Sequence, residues 1–292
     1  MPETHSMTAN VTTTGGEHPG GNLADGDSAD GDLADGDSAD EALRLACDAG
    51  RIILESGGET YRSEDVVLAV ATALGGIDAD AFATPTGIIV SCQDATGRSL
   101  SMVRRIRKRQ MNLDKLVRVN TLAREAVAGI QDLDGVEREL CTIDAAGGYP
   151  MLVQALGSAA ITGFFCLFFG GGWQDSLVAG FIGLSMGRVT SWFKSMRISD
   201  FFMNIVGGAF AAGTAIAALQ LGLGQHQDMI IIGAIMLLVP GVTIVNAIRD
   251  TIAGDLVAGI ARGADAFISA AGISIGVGMA LQAWLMIGRV IA

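Results

Sequence analysis

The chain has 292 residues, half of them hydrophobic, with a net charge of −12 and a mean hydropathy of +0.45. That hydropathy excludes an ordinary soluble protein, and the length allows one large or two ordinary domains. The acidity sits at one end: residues 1–41 hold ten acids (Glu3, Glu17, Asp25, Asp27, Asp30, Asp32, Asp35, Asp37, Asp40, Glu41) and no Lys or Arg, so the rest sets 21 of the 31 acids against 19 bases.

Residues 1–40 read as a disordered, acidic, low-complexity tail. "LADGDSADGD" at 23–32 returns as "LADGDSAD" at 33–40, with no aromatic or β-branched bulk to offset the entropy of ordering. Aspartates spaced with glycine invite a calcium reading. An EF-hand needs a closing glutamate and flanking helices, and neither frames this repeat. Nor does the segment have the basic start and apolar core of a signal peptide.

Residues 41–148 read as a small cytoplasmic α+β domain. "DEALRLACDAGRIILES" sets Ala42, Leu45, Ala46, Ala49, Ile52 and Ile53 on one helical face, and Gly57–Gly58 ends the helix. "TYRSEDVVLAVATALGG" predicts a second helix, with Thr60 or Ser63 placed to cap it. "DAFAT", "TGIIVSC" and "SLSMVRRIR" read as strands of an antiparallel meander, the last two joined by "QDATGR". "NLDKLVRVNTLAREAVAG" predicts a third helix capped by Asn112, and a short fourth helix near 134–146 leads onward.

Residues 149–292 read as an all-α transmembrane bundle of about five helices, so the fold class is mixed. A span needs about 20 apolar residues. Segments 150–170, 201–221, 229–248 and 266–288 carry no charge, and a weaker span covers 173–193 between Asp175 and Arg188. Lys and Arg collect before the first span (Arg104, Arg105, Arg107, Lys108, Arg109, Lys115, Arg118, Arg124), again at Arg188, Lys194 and Arg197, and at Arg249 and Arg262. The loops at 170–175 and 222–228 have none. By the positive-inside rule the N-terminal domain is cytoplasmic and the C-terminus lies outside a plasma membrane crossed several times. The cluster "RRIRKRQ" lacks interleaved aromatics, which argues against nucleic acid and for contact with anionic lipid.

Little points to metal or cofactor chemistry. The cysteines, 47, 92, 141 and 166, have no C-x-x-C spacing and no nearby histidine, and histidines occur only at 5, 18 and 226. Buried reduced thiols are the expectation, with no metal site, cofactor or disulfide framework.

Two stretches carry the chemistry. "GGETYRSED" packs Glu59, Thr60, Arg62, Glu64 and Asp65 into a helix start, and its functional reading has Glu59 and Arg62 facing a polar site near Thr84, Pro85 and Thr86 of "TPTG". Glu64 and Asp65 alone are explained by the helix dipole. "LLVPGVTIVNAIRDTIAGD" places Pro240–Gly241 about 12 residues into an apolar span, followed by Thr243, Asn246, Arg249, Asp250 and Asp255. Proline removes a backbone donor and breaks the helix, which inside a bilayer is tolerated against protein or a wet cavity. Asn246 and Asp250 share a face, Arg249 has the fork that grips a carboxylate, and Asp250 or Asp255 could meet an ammonium. A simple proline kink with Arg249 and Asp250 as an interfacial pair stands beside that reading. Gly183/Gly187 and Gly272/Gly276 form small-xxx-small pairs, suited to packing within one subunit or to a subunit interface.

"ESGGETYRSEDVV", then "FATPTGIIVS", then "LLVPGVTIVNAIRDTIAGDLVAGIARGADA", occur in that order and resemble the threonine/serine exporter family, in particular its N-terminal-type subunit, over about 41–288. The resemblance implies a secondary exporter of a small molecule, threonine or serine, with small dicarboxylates such as succinate as the alternative. It also implies a second, smaller membrane subunit and an oligomer. A membrane-anchored hydrolase or a sensor using the cytoplasmic domain is a further alternative, but the chain has no histidine base, G-x-S-x-G elbow or metal cluster for a hydrolase. The expectation is therefore a transporter and not an enzyme.

Overall fold

The computed structural model describes residues 28–107, 109–195 and 198–291. Helix α1 runs over Ser28–Glu55. Its predicted apolar positions Ala42, Leu45, Ala46, Ala49, Ile52 and Ile53 are all buried, and so are Leu43, Cys47 and Leu54. The helix is therefore enclosed on nearly every side. Packed around it are helix α2 (Thr60–Ala73), strands β1 (Ile77–Thr84), β2 (Gly87–Gln93) and β3 (Ser99–Arg105), and helices α3 (Leu113–Val127) and α4 (Leu133–Ala145). The strands form the expected antiparallel meander in the order β1-β2-β3. Ile88, Val90 and Cys92 of β2 point into the core while Ile89 points out.

Two local expectations change. Residues 28–40, read as disordered, are helical, and residues 1–27 lie outside the described residues. From Ala39 onward α1 is held by the core, so earlier residues extend an existing helix without a nucleation cost. Neither Thr60 nor Ser63 caps α2: Glu59 is its N-cap residue without a side-chain cap, and the Ser63 hydroxyl donates to the Gly50 carbonyl at 3.0 Å. Asn112 caps α3 as predicted, accepting from the Lys115 N–H at 3.1 Å.

Among the described residues the regular elements beyond Ala145 are all helices: α5 (Met151–Phe168), α6 (Trp173–Ser195), α7 (Asp200–Gln220), α8 (Gln227–Ile235), α9 (Gly241–Ala253) and α10 (Leu256–Ile291). Among the described residues three segments are long and apolar enough to cross a membrane: Met151–Phe168, Asp200–Gln220 and Leu256–Ile287. Large apolar side chains stand exposed on them, Leu152, Phe164, Phe168, Phe202 and Phe267 among others, as lipid-facing surface would be. Glycines set the closest approaches. A Cβ at Gly272 would lie 2.9 Å from the Phe201 carbonyl, and one at Gly276 would strike the Ile205 carbonyl, so this pair closes α10 on α7. Gly183 packs against Ser158 and Thr162 of α5, while Gly187 faces open space.

The expected span 229–248 is two short helices. α8 ends at Ile235, a tight turn follows, and Pro240 precedes α9. At 1.5 Å per residue the nine and 13 residues of α8 and α9 measure about 13 and 20 Å, so neither crosses the hydrocarbon alone. Their surroundings differ: α8 sits among α5, α6 and α7, whereas α9 packs along α10 and reaches α2. Residues 249–265, expected as a cytoplasmic segment after the span, form the end of α9, a reversal at Gly254 (φ 99°) and the first turns of α10.

Candidate functional site at the domain joint

The end of α1 makes the site possible. Gly57 takes φ 84°, a left-handed value that glycine accepts without a Cβ penalty, and the Gly57 and Gly58 N–H groups return to the Leu54 and Ile53 carbonyls at 3.2 and 2.9 Å. The carbonyls of Gly57 and Gly58 are then free to face outward. Asn246 Nδ2 donates to the first at 2.8 Å, and Arg262 Nη2 donates to the second at 2.7 Å. Arg249 Nη1 donates to Glu59 Oε1 at 2.6 Å, and Arg62 lies 3.4 Å from the other Glu59 oxygen. The Thr60 N–H and hydroxyl approach Asp250 Oδ1 at 3.3 and 2.9 Å, and the same hydroxyl is 2.9 Å from Asp255 Oδ2. Four consecutive residues of the N-terminal α+β region, 57–60, thus engage the polar face of α9 and the start of α10.

The joint is dry. Asp250 and Thr60 are fully buried, Arg262 is 4% exposed, and Asn246 and Glu59 are 5% exposed. Polar groups at this depth require partners. Most have them, with one exception: Arg262 Nε lies 2.9 Å from Asp250 Oδ2, yet neither atom makes an aligned hydrogen bond. On the α2 side, burial presses the Glu59 carboxyl upward, but hydrogen bonds from its own backbone N–H and from Arg249 outweigh it and hold the group below the ordinary glutamate range. Burial wins at Glu64, whose carboxyl is raised despite accepting from the Ala83 N–H at 2.7 Å.

The opposite face of α9 is apolar and exposed, with Val242, Val245, Ile248 and Ile252 outward. This amphipathy is inverted relative to a soluble protein: Asn246 and Asp250 face inward and the aliphatic groups outward.

The predicted site residues divide accordingly. Glu59, Thr60, Asn246, Arg249, Asp250 and Asp255 come together, joining two stretches nearly 190 residues apart. Pro240 and Gly241 start α9, and Thr243 is half-buried one turn before Asn246, away from the contacts with the 57–60 turn. Arg249 and Asp250 do not pair with each other; Arg249 takes Glu59, and Asp250 takes Thr60 and Arg262. Thr84, Pro85 and Thr86 do not face Glu59. They belong to the β1–β2 hairpin, where the Thr84 hydroxyl donates to the Gly87 carbonyl at 3.1 Å. It is Glu64 that reaches that hairpin. Arg262 has one signal in the sequence, a lone arginine just before a long apolar run, which marks loop charge and not this site. The two glycine carbonyls had no signal in side-chain identity.

Other polar clusters lie outside the joint. Asp175 accepts from the backbone N–H groups of Gly172, Gln225 and His226 at 2.9, 2.6 and 3.1 Å, tying the α5–α6 and α7–α8 loops together. From the basic cluster, Arg109 pairs with Asp265 of α10 at 2.8 Å and Arg104 lies 3.5 Å from Asp48. A cleft of roughly 1000 Å³ opens between α1, α3 and the segment before α5, lined by Gln110, Asn112, Lys115, Asp144, Tyr149 and Gln154. Three of the cysteines are buried, while Cys141 is exposed on α4. Among the described residues no three His, Cys, Asp or Glu are grouped to hold a metal ion.

An N-terminal α+β region joined through a buried polar contact to apolar, glycine-packed helices, three of which are long and apolar enough to cross a membrane among the described residues, defines a membrane protein. Comparison with known proteins gives its family. The chain belongs to the ThrE family of threonine/serine exporters, whose model matches residues 44–284. It is 30% identical over 249 residues to the "Threonine/serine exporter" of Corynebacterium glutamicum, covering 82% of this chain and 50% of that protein. It is 26% identical over 250 residues to the "Probable succinate transporter subunit YjjP" of Escherichia coli, covering 85% of this chain and 96% of that one. A Mycobacterium tuberculosis exporter of the same kind is 24% identical, with 45% of its length covered. The chain thus spans about half the length of the threonine/serine exporters it matches and nearly all of the YjjP subunit. No solved structure matches it.

Proposed function

We propose that the chain is the membrane subunit of a secondary exporter for threonine and serine, working in the plasma membrane with a second, smaller membrane subunit and as an oligomer. The observation that carries this reading is the joint itself. The polar face of a broken helix meets the 57–60 turn, and the joint between them holds both signs of charge, Glu59 and Asp250 against Arg249 and Arg262. A zwitterionic amino acid needs both. Arg262 is buried against Asp250 and the Gly58 carbonyl, whereas Arg249, paired with Glu59, is half-exposed and so is the guanidinium best placed to exchange its partner for a substrate carboxylate. A dicarboxylate needs two such groups, so the joint favours the amino acid over succinate. The second subunit is supported by the name "transporter subunit" carried by the YjjP relatives. The mixed-charge site lies at the inner end of the membrane region, and the apolar outer face of α9 fits lipid or the second subunit.

Everted membrane vesicles from cells producing the chain, alone and with candidate small membrane chains, test this by uptake of labelled threonine, serine and succinate. Threonine and serine are expected to accumulate. Arg249→Lys, which keeps the charge and loses the planar fork, is expected to lower the rate about tenfold at an unchanged amount of folded protein, an effect of order 1.4 kcal/mol. Succinate uptake without threonine or serine uptake would establish the dicarboxylate alternative, and no uptake of any of them would refute the exporter reading.

Five crossings, with α8 and α9 together making the fourth, place the soluble domain inside and the C-terminus outside. In a background lacking the native cysteines, single cysteines at Gly172, Gln225 and Ala292 are expected to react with an impermeant thiol reagent in intact cells, and one at Ser195 only after lysis. Labelling at 195 in intact cells overturns this topology.

A further inference from the structure

We propose that Glu59 is a built-in competitor for the substrate carboxylate at Arg249, and that Arg62 receives it when the substrate displaces it. The identity of the displacing ligand rests on the exporter reading; the competitor and its receiver do not. Glu59 divides its two oxygens between two elements. Oε1 accepts from Arg249 Nη1 of α9 at 2.6 Å, and Oε2 lies 3.4 Å from Nε of Arg62, in the first turn of α2. Among the described residues neither arginine pairs with a second carboxylate. Two guanidinium groups therefore share one carboxylate, and the cluster is one negative charge short.

The three side chains are placed for an exchange. The Glu59 side chain is 7% exposed, whereas those of Arg249 and Arg62 are 55% and 43% exposed, so an incoming anion meets guanidinium groups first. The two contacts are also unequal. The Arg249 contact is a short, charge-assisted hydrogen bond, while Arg62 at 3.4 Å makes none and keeps its donors for a closer approach. A substrate carboxylate on Arg249 reproduces what Glu59 provides there. Glu59, once displaced, has only the distance to Arg62 to close. It does not become a buried charge without a partner, the outcome that makes breaking such a pair costly. The single spare positive charge calls for a single carboxylate, which an amino acid supplies and its amide does not.

The exchange changes the joint. The Glu59–Arg249 pair ties the turn before α2 to α9, beside the Asn246 bond to the Gly57 carbonyl. Moving Glu59 to Arg62 turns a contact between two elements into one within the α2 start. Substrate binding thus loosens the seam at the place where it binds, and an empty site closes it.

Two readouts on the full chain in its membranes test the exchange. The first needs no transport. Phenylglyoxal reacts with accessible guanidinium groups, and mass spectrometry quantifies the modified Arg249 peptide. Glu59→Gln is expected to speed that modification about threefold, the size of effect a half-exposed ion pair confers. Threonine, but not threoninamide, is expected to slow it, and at a lower concentration in Glu59→Gln than in the unsubstituted protein. An unchanged rate in Glu59→Gln, no protection by threonine, or equal protection by the amide overturns the proposal. The second readout is the threonine concentration for half-maximal uptake by everted vesicles. Competition lowers it about threefold in Glu59→Gln and raises it in Arg62→Gln, and the double variant matches Glu59→Gln alone, because Arg62 acts only through Glu59. A Glu59 that only held the fold together would give a rise in both single variants, and shifts of the same sign overturn the proposal. Arg62 is half-exposed, so Arg62→Gln keeps the fold and decides alone if Glu59→Gln does not: a half-maximal concentration that is unchanged or lower overturns the exchange. If the unsubstituted protein moves no threonine, the exporter reading fails, while protection of Arg249 by threonine still decides the exchange.

Discussion

Arg262→Met is expected to destabilise the folded protein by about 3–5 kcal/mol, because it leaves Asp250 buried without its cation. Arg262 is 4% exposed and Asp250 fully buried, so water cannot replace the lost charge. The same substitution removes the donor to the Gly58 carbonyl. In detergent, the thermal midpoint is expected to fall on the order of 10 °C. The double variant Arg262→Met with Asp250→Asn should regain most of that loss, since a neutral pair no longer needs to be compensated in a dry site. A double variant as unstable as the single one would show that packing, and not charge, makes Arg262 necessary. Its transport should stay impaired in either case, because the joint would have lost one charge of each sign.

Gly276→Leu is expected to abolish most folded protein in the membrane. Any Cβ at this position meets the Ile205 carbonyl and lies 2.9 Å from the Ala209 nitrogen, and backbone cannot swing aside as a flexible side chain would. The α7–α10 contact is the most extensive between any two helices, so separating them costs the packing of the whole bundle. Gly276→Ala should already destabilise by about 1–3 kcal/mol. Gly278, two residues further along the same helix, faces open space, and Gly278→Ala should be neutral or slightly stabilising through helix propensity. Equal effects at 276 and 278 would show that the α7–α10 contact does not depend on a bare backbone. Fluorescence-detected size-exclusion of tagged protein distinguishes these outcomes.

The elements of the N-terminal α+β region were largely legible in the sequence because local signals and burial agree there. The periodicity of α1, the alternation in β2 and the asparagine before α3 each point to what is observed. The miss at residues 28–40 has a physical cause. Composition describes what a segment can bury alone, whereas this one continues a helix whose later turns are anchored in the core. The helix break near Pro240 was legible for an equally local reason, the missing N–H.

Partnership was not legible. Sequence spacing put Asn246 and Asp250 on one face and Arg249 beside them, but it left open whether that face met a mid-membrane cavity, a simple kink or another domain. It also assigned Glu59 to the "TPTG" hairpin instead of α9. The amino-acid sequence by itself determined the element types, the apolar segments, the broken helix and the family, since each depends on residues close in the chain or on ordered motifs. Only the tertiary structure decided that the 57–60 turn and the α9–α10 hairpin make one site, that Arg262 belongs to it, and that one threonine hydroxyl lies between two aspartates. The reason is that hydrogen-bond partners of glycine carbonyls and buried charges are chosen by distance in space, and residues about 190 apart in the chain carry no local record of that choice.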